Sequence, residues 1–292
     1  IGPILIGHQE NGFYKRRDGI MTVLMLFAFV AFLVIIFVKP KWGSFLIWPI
    51  LFCYPHGWWA SHGFLPLGAG ADDVFFVFLF LVVLVRRNLM EGVPFRFGYA
   101  FWTITSFVLI ALVATYFGSR EAAAFERILY LRDMLKLVGY WCLFYAVIHC
   151  IDDEYDLRRQ LFMFSGAAMA GALLVIAHYY MPYRLDVFLA PVTVEKGMAD
   201  IGARASGAFM NPNAAAGTLA CAVVLIIVSM KLSRYSFTKV VSYGAIFVVL
   251  AAILMTRSRS GFVALGTVLL LMALMSRYRK IGWSLIITLA GV

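Results

Sequence analysis

The chain has 292 residues, of which 63% are hydrophobic and 14% are charged, and its formal net charge is +10. A soluble domain of this length keeps a polar surface and could not bury so many apolar side chains. The composition therefore excludes a soluble globular protein and predicts a chain whose solvent is the lipid bilayer.

Ten apolar stretches follow one another along the chain, joined mostly by short connections. They cover residues 20–38, 44–58, 69–85, 97–118, 134–151, 160–181, 213–230, 239–256, 261–276 and 281–292. Because an α-helix satisfies its own backbone hydrogen bonds in lipid, we predict an all-α, polytopic transmembrane helical bundle of about ten spans. The connections leave no room for a soluble domain, so residues 1–292 are predicted to form a single transmembrane domain.

Both ends of the sequence suggest a longer protein. Residue 1 is Ile rather than Met. The last apolar stretch is only about half a span long at roughly 1.5 Å per residue. We therefore expect the tenth span to be incomplete and further chain to follow residue 292.

Basic residues in alternate connections indicate the orientation of the bundle, because cytoplasmic loops carry an excess of Lys and Arg. One side has thirteen and the other has nine, which favours the first side as cytoplasmic. The thirteen are Lys39, Lys41, Arg86, Arg87, Arg96, Arg158, Arg159, Lys231, Arg234, Lys239, Arg277, Arg279 and Lys280. The nine on the outer side are Arg120, Arg127, Arg132, Lys136, Arg184, Lys196, Arg204, Arg257 and Arg259. Most of the nine are arginines, whose planar guanidinium suits phosphate or carboxylate, and contact with lipid headgroups is the alternative.

The first outer segment, residues 117–133, mixes charged and apolar side chains at helical spacing. This pattern predicts an amphipathic helix that lies on the membrane face and has a mainly structural role. Arg127 and Arg132 lie in it, and we include both as candidate substrate-binding residues because they belong to the outer set.

The second outer segment ends in Asn211, Pro212 and Asn213. Asn caps helices and Pro is favoured at the first helical position, so this pair predicts a helix start. Free N–H groups and the positive dipole end make a helix N-terminus an anion site, and Arg204 lies just upstream. A plain helix cap would explain the Asn-Pro pair equally well, but it would not explain Arg204.

The third outer segment, residues 255–261, is a tight turn between two spans and contains Arg257 and Arg259. Arginine at membrane depth is costly unless it is paired or binds an anionic ligand. Ser258 or Ser260 could cap the helix that follows. We therefore predict that two helix N-termini and several arginines converge on one patch of the outer side, where a lipid diphosphate is the natural anion.

Other ionisable groups are interpreted as structural. The acidic residues at 152–156 precede Arg158 and Arg159 on the cytoplasmic side, and this pattern predicts a solvated helix start. His149 and His178 lie in apolar runs and are interpreted as packed, hydrogen-bonded side chains rather than proton carriers.

Residues 204–213 (RASGAFMNPN), then two spans, then residues 256–261 (TRSRSG) resemble the core signature of the O-antigen ligase and O-antigen polymerase superfamily. The resemblance covers roughly residues 200–275, and the order and spacing of the motifs carry it. It implies a GT-C-like fold and glycosyl transfer at the periplasmic face of the bacterial inner membrane. Members move a glycan from undecaprenyl diphosphate to the lipid A core, to a growing polysaccharide or sometimes to a protein.

The resemblance assigns roles to residues of this chain. Arg204 and Arg259 match the arginines thought to hold the donor diphosphate, and they are the candidate catalytic residues. Asn211, Asn213, Arg257 and Ser258 join Arg127 and Arg132 as candidate substrate-binding residues. Guanidinium groups near helix N-termini can stabilise a departing diphosphate, so no metal ion and no other cofactor is expected. The family's periplasmic loop, which carries the proposed histidine base, would follow residue 292.

Two other functions stay open. A transporter or flippase of an anionic lipid or solute should have broken spans or midplane charges, whereas the charged residues here gather at the ends of the spans. A structural subunit whose arginines bind only lipid headgroups is the third possibility. For the transferase, the expected partners are the lipid-linked glycan, the lipid A core or glycan acceptor and membrane lipids, with no nucleic acid. The sequence does not distinguish a ligase from a polymerase.

Overall fold

The computed structural model describes residues 26–53, 71–119, 124–181, 205–209, 212–275, 280 and 282–284. Its regular elements are helices, and no strand occurs among these residues. The main helices are α1 (Leu26–Val38), α2 (Pro40–Cys53), α3 (Ala71–Val82, continued by a π-helix at Val83–Met90), α4 (Tyr99–Ser119), α5 (Ala124–Cys150), α6 (Glu154–Tyr180), α7 (Pro212–Leu232), α8 (Ser236–Thr256) and α9 (Arg259–Leu274). The all-α prediction is confirmed for the described part of the chain.

Four of the described helices are long and apolar enough to cross a membrane, as judged by length and composition. They are α4 over Tyr99–Gly118, and α6, α7 and α8 over their whole lengths. Shorter apolar helices are α1, Met134–Cys150 of α5, and α9. Each coincides with one of the predicted apolar stretches, which supports a membrane protein with several transmembrane helices.

The larger hydrophobic core lies between α2, α6, α7, α8 and α9. Small side chains bring these helices close together, and α7 buries Ala215, Ala216 and Ala220 completely. On α6, a Cβ at Gly171 would lie 2.8 Å from the carbonyl oxygen of Phe52 in α2. Small interface residues suit a membrane bundle, because helices in lipid associate through close van der Waals packing.

A second core joins α1, α2, α3, α4 and α5, and it is rich in aromatic side chains. Phe75 and Phe76 of α3 are buried in it together with Tyr145 of α5. Trp48 and Leu51 of α2 pack against both cores. The two halves of the bundle therefore share α2.

The chain turns sharply between α1 and α2. A Cβ on Gly43 would lie 3.1 Å from the Cα of Ile36. Seven residues of straight helix would separate these positions by about 10 Å. Pro40 begins α2, at a position where the missing N–H of proline costs no hydrogen bond. The turn directs Lys41 toward the connections at the same end of the bundle.

Direct contacts place alternate connections at opposite ends of the bundle. At one end, which we call the Asp152 end, Lys41 of α2 and Arg87 of the π-helix both contact Asp152. At the other, the Ser258 end, Asn213 of α7 contacts Ser258. Lys41 and Arg87 belong to the predicted cytoplasmic set of basic residues, and Arg257 lies beside Ser258. The predicted alternation of the connections is confirmed for these helices.

The prediction of a separate amphipathic helix at residues 117–133 is wrong. α4 runs to Ser119, and α5 begins at Ala124 and continues without a break to Cys150. The polar segment belongs to the first turns of this 27-residue helix. No Pro or Gly lies between residues 124 and 138 to end the helix, so the amphipathic turns continue directly into the apolar ones.

Candidate functional site

The first turns of α7 and α9 lie side by side at the Ser258 end. α7 begins at Pro212, as predicted. A Cβ built on Gly261 would lie only 2.2 Å from the Cβ of Ala216, so the two helices touch where they begin. The Asn213 side chain accepts a 2.8 Å hydrogen bond from the Ser258 hydroxyl. The predicted convergence of the two helix N-termini is confirmed.

Ser258 caps α9, as one of the two serines predicted for this role. Its Oγ accepts a 3.2 Å hydrogen bond from the N–H of Gly261, donates to Asn213 and lies 3.0 Å from the Oγ of Ser260. With Ser260 donating, the single donor and both acceptor positions of this buried hydroxyl are occupied. Ser258 therefore joins the two signature segments, and direct contact with substrate stays a prediction for it.

We expect Ser258→Ala to destabilise the bundle by about 1–2 kcal/mol, because it removes a helix cap and the bond to Asn213. Thermal unfolding in detergent measures the loss. Thr267→Ala is the matched control in α9, since within the described part of the chain this exposed hydroxyl bonds only to the Val263 carbonyl of its own helix. The control should change stability by less than about 0.5 kcal/mol. Equal effects of the two substitutions would show that Ser258 is not a structural link.

Two arginines flank Ser258. Arg257 ends α8 and, among the described residues, is the one non-glycine residue with positive φ, at 49°. This left-handed conformation costs a residue other than glycine about 1 kcal/mol or more. Arg257 therefore occupies a position that a glycine would adopt with less strain. Its Nη2 lies 3.4 Å from the Tyr179 hydroxyl of α6. Arg259 is exposed at the first position of α9. Within the described ranges neither arginine makes an ion pair with a carboxylate.

A short buried segment, residues 205–209, lies beside these helix starts. Nδ1 of His178, in the last turn of α6, is 3.2 Å from the N–H of Gly207 and 3.4 Å from the N–H of Ser206, and it accepts hydrogen bonds from both. The N–H of Ala205 donates to the Met255 carbonyl of α8 at 3.5 Å. The segment follows Arg204 directly in the sequence, so its anchoring bears on one of the two candidate catalytic residues.

The predicted site residues are therefore only partly described. The structure brings Asn213, Arg257, Ser258 and Arg259 to one end of the bundle. Arg204 and Asn211 lie outside the described residues. Arg127 and Arg132 belong to the helical backbone of α5, and their side chains are not described. Across the described ranges, no three His, Cys, Asp or Glu side chains are grouped as metal ligands would be.

The Asp152 end holds a charge cluster that the sequence did not indicate. Asp152 accepts two hydrogen bonds from Arg87 Nη2, at 2.7 and 2.8 Å, and lies 2.6 Å from Lys41 Nζ. Arg96 Nη2 lies 3.4 Å from the same carboxylate. Although burial alone would raise the pKa of Asp152, the hydrogen bonds from Lys41 and Arg87 outweigh it and lower that pKa below its ordinary value.

The prediction of a solvated helix start at residues 152–156 is confirmed for Asp152, Asp153 and Glu154, which are exposed, and is wrong for Asp156. Asp153 caps α6 by accepting a 2.7 Å hydrogen bond from the N–H of Asp156. Asp156 itself is buried and accepts a 2.7 Å bond from Lys41. Its partner is 115 residues away in sequence, so no local pattern could show that this carboxylate is taken out of water.

The π-helix at Val83–Met90 supplies two buried polar residues to the same end. Arg87 and Asn88 are 4% and 6% exposed. The Asn88 amide donates to the Val93 carbonyl and accepts a 3.1 Å bond from the Tyr145 hydroxyl. A π-helix changes the angular spacing of side chains, and here it lets both neighbours in sequence reach polar partners. His149 and His178 are packed and hydrogen-bonded, as predicted.

No family model, no curated protein and no solved structure matches the chain. The likeness to the O-antigen ligase and polymerase superfamily therefore rests on residues 204–213 and 256–261.

Proposed function

We propose that the chain is the donor-binding part of a membrane glycosyltransferase of the O-antigen ligase or polymerase type. It transfers a glycan from undecaprenyl diphosphate to the lipid A core or to a growing polysaccharide. In this proposal the bundle is GT-C-like with about ten spans in a bacterial inner membrane. The Asp152 end faces the cytoplasm and the Ser258 end faces the periplasm.

The observation that carries the proposal is the hydrogen bond between Asn213 and Ser258. These residues are 45 positions apart and belong to the two halves of the signature. The bond holds the two halves of the signature together, which a donor site shared between them requires. The contact also sets two helix N-termini and two arginines, free of carboxylate partners among the described residues, at one end of the bundle.

The chemistry needs stabilisation of a developing negative charge. The acceptor hydroxyl oxygen forms a bond to the anomeric carbon, and the bond from that carbon to the diphosphate oxygen breaks. The electron pair leaves with the lipid diphosphate, and the hydroxyl proton passes to a general base. Arg204 and Arg259 would hold the diphosphate, and the N-termini of α7 and α9 would add partial positive charge without a metal.

The test is glycan transfer by the full-length protein in membranes supplied with the lipid-linked donor. We expect Arg259→Ala and Arg204→Ala each to reduce transfer by about a hundredfold or more, because each removes a group that stabilises the leaving diphosphate. Arg158→Ala is the matched control at the opposite end, where Glu154 of the same helix is the one ion-pair partner of Arg158 among the described residues. It should transfer normally.

Two results would contradict the proposal. Transfer at the wild-type rate by both signature variants would show that these arginines do not hold the donor. Movement of the lipid-linked donor across proteoliposomes without cleavage of its glycosidic bond would instead identify a flippase. Membrane insertion of each variant should be checked by fractionation, so that loss of the protein is not taken for loss of chemistry.

A further inference from the structure

His178 has a hydrogen-bonding role that the transfer chemistry leaves unused. It lies in the last turn of α6 and is 5% exposed. Its Nδ1 accepts the N–H groups of two consecutive residues, Ser206 and Gly207. Because Nδ1 is an acceptor, the ring hydrogen is on Nε2. One nitrogen thus satisfies two backbone donors that would otherwise be buried without partners.

The backbone at Gly207 is shaped for this contact. Its φ is +59°, and a Cβ at this position would lie 2.9 Å from the backbone nitrogen and 2.8 Å from Cγ2 of Val175. Glycine is therefore required both by the conformation and by the close approach to α6. Val175 is one turn before His178, so the segment lies flat against the end of this helix.

The rest of the segment is held from two other sides. Ala205 donates to the carbonyl of Met255 in α8, two residues before Arg257. Phe209 packs edge-on against Phe52 of α2, with ring centroids 6.2 Å apart. All five residues of the segment are buried. Within this arrangement, the hydrogen bonds that Ser206 and Gly207 donate to His178 fix the centre of the segment.

We propose that His178 is a positioning residue that fixes residues 205–209, the segment that follows Arg204 in the sequence, beside the end of α8. The inference rests on the proposed function for its link to the donor, because Arg204 is one peptide bond from Ala205. Consecutive Cα atoms are about 3.8 Å apart, so anchoring Ala205 limits where the Arg204 side chain can begin.

Two substitutions separate the hydrogen bond from the bulk of the side chain. In His178→Asn, the amide oxygen occupies the place of Nδ1 and can accept the same two N–H groups. In His178→Gln, the amide is one bond farther from the backbone, so the acceptor leaves that place. Both substitutions introduce an uncharged amide. Only His178→Asn keeps an acceptor atom at the position of Nδ1, within reach of the N–H groups of Ser206 and Gly207.

The first readout does not depend on any enzymatic activity. Ser206 is fully buried, and its hydroxyl has no hydrogen-bond partner among the described residues, so Ser206→Cys places a thiol there without losing a bond. A membrane-impermeant maleimide is applied to the full-length protein, and mass spectrometry follows the peptide that carries residue 206. We expect His178→Gln to speed alkylation about tenfold or more by opening the segment, and His178→Asn to change it less than about twofold.

The second readout is the KM for the lipid-linked donor. If His178 positions Arg204, His178→Gln should raise KM about tenfold with a smaller change in kcat, and His178→Asn should restore it. Alkylation that stays slow in His178→Gln would overturn the anchoring. Faster alkylation with an unchanged KM would overturn the link to Arg204. Normal transfer by Arg259→Ala and Arg204→Ala would contradict the proposed glycosyltransferase function. The alkylation rates would still show whether His178 anchors residues 205–209.

Discussion

Gly261→Ala should destabilise the protein by about 2–3 kcal/mol, because the new methyl group has no space between α7 and α9. The added Cβ would lie 2.2 Å from the Cβ of Ala216, so one of the helices must move away. Gly266→Ala is the control in the same helix, since nothing lies within 4 Å of a Cβ at that position. The control should be neutral or stabilise by up to about 1 kcal/mol, because alanine favours helix.

A compensating change makes this prediction sharper. Ala216→Gly removes the methyl group that the new one would strike, so the double variant Ala216→Gly with Gly261→Ala should regain most of the lost stability. Thermal unfolding in detergent gives the comparison. The double variant must still carry the cost of a glycine inside α7, about 1 kcal/mol. If the double variant unfolds as easily as Gly261→Ala alone, the loss has another cause than this contact.

Asp152→Asn should cost about 2–3 kcal/mol of stability. The substitution removes the nearer of two carboxylates from the Arg87 guanidinium, whose side chain is 5% exposed, and leaves only Glu91, 3.9 Å from Nε, among its described carboxylate partners. Removing one partner of a fully buried ion pair costs about 3–5 kcal/mol, and the lower value applies here because Asp152 is 37% exposed. Glu154→Gln is the control, because its pair with Arg158 is exposed and within one helix, and it should cost about 0.5 kcal/mol or less.

The same cluster predicts how stability depends on pH. The pKa of Asp152 is lowered in the folded protein, so its contribution is complete above the ordinary carboxylate pKa and is lost as the pH falls through the lowered value. Melting temperatures measured across the acid range should therefore fall less steeply for Asp152→Asn than for the wild type. Parallel curves would show that Asp152 does not contribute to the acid sensitivity.

The helix starts at the Ser258 end were predictable because local chemistry determines them. Pro212 is suited to a first helical position, and Ser258 precedes a helix at a place where only a short polar side chain can cap it. The basic residues in alternate connections then indicated that the starts of α7 and α9 lie on the same side of the bundle. These signals are contained in a few consecutive residues, so the sequence was enough to place them.

The Asp152 end was not predictable for the opposite reason. Arg87 finds its carboxylate 65 residues later in the chain, and Lys41 finds Asp156 115 residues later. An acidic run beside arginines is typical of a solvated helix start, and only packing decides which of its members is buried. The π-helix that carries Arg87 contains neither Pro nor Gly, so nothing in its own sequence distinguishes it from an ordinary helix.

The seam between α2 and α6 has a mechanical consequence. Gln160 accepts a bond from the Trp48 indole at 2.7 Å and donates to the Ser44 hydroxyl at 2.6 Å, one turn apart on α2. A slide of α2 along α6 by one turn, roughly 5 Å, would break both bonds together. The two hydrogen bonds of Gln160 thus fix the register of α2 against α6. A movement within the bundle that leaves both bonds intact must therefore involve other helices, such as α4, of whose apolar span only 11% is buried.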